Sequence, residues 1–116
     1  ASGEVTWAGR VGDYWRNIIV IRHDPLPDGS VVYSRYAHVE NMRVRRGDRV
    51  ARGEQICVVG QSGGSSGNYH LHFDVSPTDV LRDNPGHWPG TKREEVVRHY
   101  VDPLAFIRER RPAADG

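Results

Sequence analysis

Cysteine is nearly absent from this chain: Cys57 is the one thiol in 116 residues. A single cysteine forms no internal disulfide, so the fold stands without that constraint. Cys57 lies in the strand-like run "EQICVVG", where no local base would activate it, and it reads as a small core residue. Long apolar runs are also missing. No segment approaches the roughly 20 residues of a membrane span, and no signal peptide is visible. Neither charge sign dominates, since 16 Lys and Arg stand against 15 Asp and Glu for a formal net charge of +1. That balance argues for no particular partner and singles out no nucleic acid. The basic runs at Arg43, Arg45, Arg46 and at Arg108, Arg110, Arg111 read as solvated surface.

What the chain does have is glycine, 13 residues of it, between short apolar runs. This texture favours an all-β domain. "EVTWAGRV", "NIIVIRH" and "SVVYSRYAHV" are rich in β-branched and aromatic residues and read as strands. Asp28-Gly29 marks a turn between the second and third, and Gly47-Asp48 and Arg52-Gly53 mark two more. "QSGGSSGN" is a Gly/Ser loop, and "YHLHFDV" alternates cleanly. "SPTDVLRDNPGHWPG" reads as an irregular loop. "TKREEVVRHY" reads as a short helix, with Thr91 and Glu94 at capping-box spacing. "DPLAFIRER" reads as a helical turn or two, capped by Asp102 with Pro103 in first position. The expectation is one domain over residues 1–110, an antiparallel β-sheet core with a short C-terminal helical addition, and a flexible tail at 111–116.

The run "NYHLHFDVSP" poses a chemical question. Alternation puts Tyr69, Leu71, Phe73 and Val75 on one face and His70, His72 and Asp74 on the other. At about 3.3 Å per residue the two imidazoles are anchored roughly 6.6 Å apart, close enough to share a small ion and its water. The same pattern also occurs on solvated strand faces. His38, ending the run "VVYSRYAH", adds a third imidazole, and the Gly/Ser loop lies just upstream of the H-x-H. Three histidines at strand positions beside glycine-rich turns suggest the wall of an active site.

Tyr36-Ala37-His38, Gly47-Asp48, Gly60-Gln61-Ser62-Gly63 and His70-Leu71-His72-Phe73, taken together, resemble the lysostaphin/LytM-type zinc endopeptidases that cleave peptidoglycan. The resemblance runs from about Gly3 to Val75 and resumes at "VDPLAFI". It implies an antiparallel sheet of the lysostaphin-like metallopeptidase type around a groove with zinc on its floor. It makes His72 a zinc ligand and assigns His38 and His70 to catalysis, with the division of labour between them open. Zinc would lower the pKa of a bound water towards 7. A neutral histidine can accept the water's proton, and an N–H-bearing one can stabilise the oxyanion. The implied substrate is the peptide part of peptidoglycan, and the implied location is the bacterial cell envelope or outside it. Trp15, Ser62, Gly63 and Ser65 are candidate substrate contacts.

The chain departs from that family in two ways. Upstream of the H-x-H strand, where His70 and Asp74 themselves have that spacing, it contains no H-x-x-x-D motif, the source of the family's two other zinc ligands. The opening in mid-pattern at "GEVTWAGRV", without methionine, leads us to expect that motif and further strands upstream. His72 alone would then bind zinc weakly at most. The rival expectation is a degenerate domain that binds peptidoglycan or activates a partner hydrolase without catalysis. The second departure is the long segment between the H-x-H strand and "VDP", which carries Trp88, a residue that could pack locally or stack on sugar rings. His23, His87 and His99 are expected to play surface or turn roles.

Overall fold

The computed structural model describes residues 2–61, 69–90 and 92–110. The strands are β1 (Gly3–Arg10), β2 (Asn17–His23), β3 (Tyr33–Glu40), β4 (Arg49–Val50), β5 (Val58–Val59) and β6 (His72–Ser76). Four helical segments join them: α1 (Gly12–Trp15), α2 (Val80–Asp83), α3 (Arg93–His99) and α4 (Pro103–Arg110). The strands form one antiparallel sheet in the order β4-β1-β2-β3-β5, with β6 also paired to β3. The expected β-sheet core with C-terminal helices is what is found.

The apolar run of β2 explains its central place. Ile18, Ile19, Val20 and Ile21 are all buried, so the strand is covered on both faces. On one face Ile19 and Ile21 pack with Val5, Val39, Val44 and Val50, and the half-buried Cys57 joins the edge of this cluster. On the other face Ile18 and Val20 pack with Tyr33, Ala37 and Leu81, flanked by Trp7 and Trp15. Burial pushes the Cys57 thiol pKa up, which suits an inert packing role.

The turn glycines hold. The N–H of Gly29 donates to the Leu26 carbonyl at 2.7 Å, and Gly47 and Gly53 take positive φ of 95° and 82°. Asp102 caps α4 by accepting from the N–H groups of Leu104 and Ala105. Other expectations need correction. The supposed irregular loop after β6 contains α2, a single helical turn that buries Leu81 completely. The apolar face of "YHLHFDV" extends only over Phe73 and Val75, because Tyr69 and Leu71 precede β6 and are exposed. The N-cap of α3 is Lys92, with no side-chain cap bond. Thr91 and the tail 111–116 lie outside the described residues.

Candidate functional site

His38 does not end its strand but interrupts it. Asn17 pairs with Val39 and the next residue, Ile18, pairs with Ala37, so β3 carries His38 as an extra residue. It is a β-bulge, and His38 takes φ of 60°, the left-handed region that a histidine rarely enters. Such strain persists where surrounding structure imposes it. Here the imposition comes partly from Gly60, whose N–H donates to the His38 carbonyl at 2.8 Å. A Cβ on Gly60 would lie 2.6 Å from that oxygen, so only glycine allows the approach.

The bulge turns the His38 imidazole towards α1. The side chain is 1% exposed, and Nδ1 lies 3.2 Å from the Trp15 carbonyl oxygen. A carbonyl only accepts, so Nδ1 carries the proton and Nε2 carries the lone pair. That Nε2 is buried and meets no hydrogen-bond partner among the described residues. Burial holds the His38 pKa below its ordinary value, and the positive charges that His70 and His72 can carry act in the same direction. His38 is thus kept as a neutral acceptor.

His72 and Asp74 stand opposite Ala37 and Arg35 across the β3–β6 pairing, so the four share one face. The Asp74 carboxylate lies 3.0 Å from Nε2 of His72 through one oxygen. Its other oxygen accepts from Nε of the buried Arg35 at 2.7 Å. Burial would raise the Asp74 pKa, but the His72 hydrogen bond and the Arg35 charge outweigh it and hold the carboxylate ionised. Arg35 also donates to the carbonyls of Pro85 and His87, at 3.0 and 2.7 Å. The arginine therefore ties the post-α2 loop to the site.

The three predicted imidazoles come together. The ring of His38 lies 4.9 Å from that of His70 and 6.0 Å from that of His72, centre to centre. Trp15 stacks on His38 at 5.8 Å and meets the His72 ring edge-on at 5.0 Å. Trp88, 61% exposed, touches both Trp15 and His72. Beside His72 a cavity of about 260 Å³ is lined by Arg35, Asp74, Trp88 and Tyr100 among others. Trp88 thus packs on Trp15 and His72 and also lines this cavity. Ser62, Gly63 and Ser65 lie outside the described residues.

His72 is available as one metal ligand, but it does not stand in a complete set. Among the described residues the His/Cys/Asp/Glu group with ligand atoms close enough for a metal is His87, Glu95 and His99, away from the H-x-H pair. The zinc that the resemblance implies does not find its remaining ligands here. Two further expectations change. His23 is buried, with Nε2 2.7 Å from the Ser34 hydroxyl, and is no surface residue. His87 and His99 are half-buried and adjacent, with ring centres 5.2 Å apart. Sequence reading also passed over Arg35. Its signal was a charge in mid-strand, on the face that later receives Asp74.

A family model described as "Peptidase family M23" matches residues 1–84. The chain is 31% identical over 83 residues to the cell division protein DipM of Caulobacter vibrioides, covering 72% of this chain and 13% of that protein. It is 36% identical over 73 residues to the peptidoglycan DD-endopeptidase ShyB of Vibrio cholerae, covering 60% and 16%. It is 35% identical over 75 residues to the murein hydrolase activator NlpD of Escherichia coli, covering 65% and 18%. The chain thus spans less than a fifth of each of these curated relatives. Among solved structures, lysostaphin from Staphylococcus simulans aligns over 100% of this chain and 39% of its own, at 24% identity and a TM-score of 0.67, a likeness of fold. A zinc-containing peptidase from Vibrio cholerae aligns over 65% of this chain and 21% of its own, at 35% identity and a TM-score of 0.54.

Proposed function

The chain belongs to peptidase family M23, and on that footing we propose that it hydrolyses amide bonds in the stem or bridge peptides of bacterial peptidoglycan, in the cell envelope or outside the cell. The observation that carries this reading is the buried Nε2 of His38, without a hydrogen-bond partner among the described residues, on a ring 4.9 and 6.0 Å from those of His70 and His72. A buried acceptor without a donor is costly, and it is used when a substrate or water supplies the proton.

Each residue then has a role. His38, fixed by the Trp15 carbonyl with its lone pair on Nε2, accepts the proton of the attacking water. His70 donates a hydrogen bond to the oxygen that becomes negative in the tetrahedral intermediate. His72 is oriented by Asp74, which Arg35 holds in place. Trp15 and Trp88 form the groove wall on which the peptide or its sugar lies. The same reading gives the Gly/Ser loop residues Ser62, Gly63 and Ser65 a share in holding the substrate. The family is zinc-dependent, and His72 is the ligand this chain offers.

A second reading has a specific observation in its favour, the incomplete ligand set around His72. It makes the domain a non-catalytic binder of peptidoglycan or an activator of a partner hydrolase, the activity named for the relative in Escherichia coli. Digestion of purified sacculi by the full-length gene product with zinc present separates the two. Falling cross-linked muropeptides and rising monomers support the hydrolase. Intact cross-links, with the protein sedimenting on the sacculi, support the binder.

A further inference from the structure

We propose that His87, Glu95 and His99 form a zinc-binding site of their own, which fastens α3 to the loop carrying Trp88. One ligand atom from each residue lies within 4.8 Å of the other two. Glu95 and His99 are four residues apart on α3 and so project from one face of it. His87 comes from the loop after α2, and its ring faces that of His99 at 5.2 Å.

The hydrogen bonds behind these rings bear on where their lone pairs point. The Tyr100 hydroxyl sits 2.8 Å from Nδ1 of His87 and directs its own proton towards the His87 carbonyl at 3.5 Å. In the tautomer where it accepts from Nδ1–H, Nε2 of His87 is left as a donor of electrons to a metal. Nδ1 of His99 lies 3.2 Å from the Thr78 hydroxyl oxygen, whose proton can pass to Ser76 Oγ at 2.9 Å. In that tautomer Nε2 of His99 is free for a metal shared with Glu95, whose carboxylate is 3.4 Å away; in the other, Nε2–H donates to that carboxylate.

With both imidazoles protonated on Nδ1, the two Nε2 atoms and the Glu95 carboxylate form a set of three donors that a cation can bridge. A proton on Nε2 of His99 would serve for His99 and Glu95 alone, but it leaves the lone pair of His87 without a partner in that set. A divalent ion serves all three. Two imidazoles and one carboxylate, with water completing a tetrahedron, match zinc, whereas magnesium and calcium prefer all-oxygen shells. The outer hydrogen bonds from Tyr100 and Thr78 are of the kind that orient metal-bound histidines.

The consequence is mechanical. The His87 carbonyl is held by Arg35, and Trp88, the next residue, meets the His72 ring. Val96 and Tyr100 line the same cavity. An ion on His87, Glu95 and His99 would clamp the loop and α3 beside that cavity.

The test is cobalt titration of the metal-free folded chain, followed by its visible absorption, with zinc as competitor. It is run on the wild type, Glu95→Gln, His99→Ala and His72→Ala. The proposal expects four-coordinate cobalt absorption at one equivalent in the wild type and in His72→Ala, and an affinity loss of at least about tenfold in Glu95→Gln and His99→Ala. Zinc should raise the thermal midpoint of the wild type and not that of Glu95→Gln, while the metal-free midpoints of the two agree. Any other pattern overturns it, whether no uptake by the wild type or uptake that depends on His72 and survives Glu95→Gln.

Discussion

Arg35 and Asp74 face each other across the β3–β6 pairing, and the carboxylate that receives Arg35 also receives His72. Through this one contact a core strand, the post-α2 loop and the H-x-H pair are held in register.

Arg35→Met keeps most of the side-chain volume but leaves Asp74 without its counter-charge. Removing one member of a buried pair costs about 3 kcal/mol. Urea denaturation should show a loss of that order, and a midpoint equal to the wild type would show that the pair contributes little.

Gly60→Ala should be damaging although it adds one methyl group. The new Cβ would meet the His38 carbonyl and the Glu40 side chain, both at 2.6 Å. The bulge must then shift, at a cost of about 1–3 kcal/mol. Thermal unfolding measures the loss, and a fall in any peptidoglycan cleavage should accompany it because His38 moves.

Acid should destabilise the protein below the ordinary imidazole pKa of 6.5. The pKa of His38 is lowered by burial, so the unfolded chain takes up a proton that the folded chain refuses. Above that value both states are neutral and stability is full; below it stability falls until the folded pKa is passed. His87, lowered mainly by burial, adds to the effect. The lowered Asp74 extends it below 3.8. Urea midpoints at pH 7.5 and 5.5 should differ, and His38→Asn, which tolerates the left-handed backbone, should narrow the difference. Equal wild-type midpoints would contradict this.

Trp88→Ala removes an exposed ring and should change stability by no more than about 0.5 kcal/mol. Sacculus binding should weaken several-fold, because the ring forms the groove wall next to His72. Co-sedimentation with sacculi reads the change directly.

The sequence made some of this legible and hid the rest for physical reasons. The apolar run of β2 and the turn glycines are local patterns, and both match the structure, whereas of the H-x-H pair His72 alone lies within β6. The bulge at His38 is not local. It depends on Gly60 approaching from the segment just after β5, which no alternation pattern reveals. Arg35 and Asp74 are 39 positions apart and join through sheet pairing. Leu81 anchors a single helical turn, too short for a helical period to show. His87 looked like a surface residue because its partners lie on α3 and are brought to it by packing.

The most direct measurement is the rate at which the full-length gene product opens peptidoglycan cross-links, wild type against His38→Asn, with sacculus binding followed in parallel. General-base catalysis predicts a rate lower by about 10²–10⁴-fold in the variant, with binding retained. Equal rates would contradict the general-base role of His38, and binding without cleavage by the wild type would contradict the hydrolase and leave the binding module as the function.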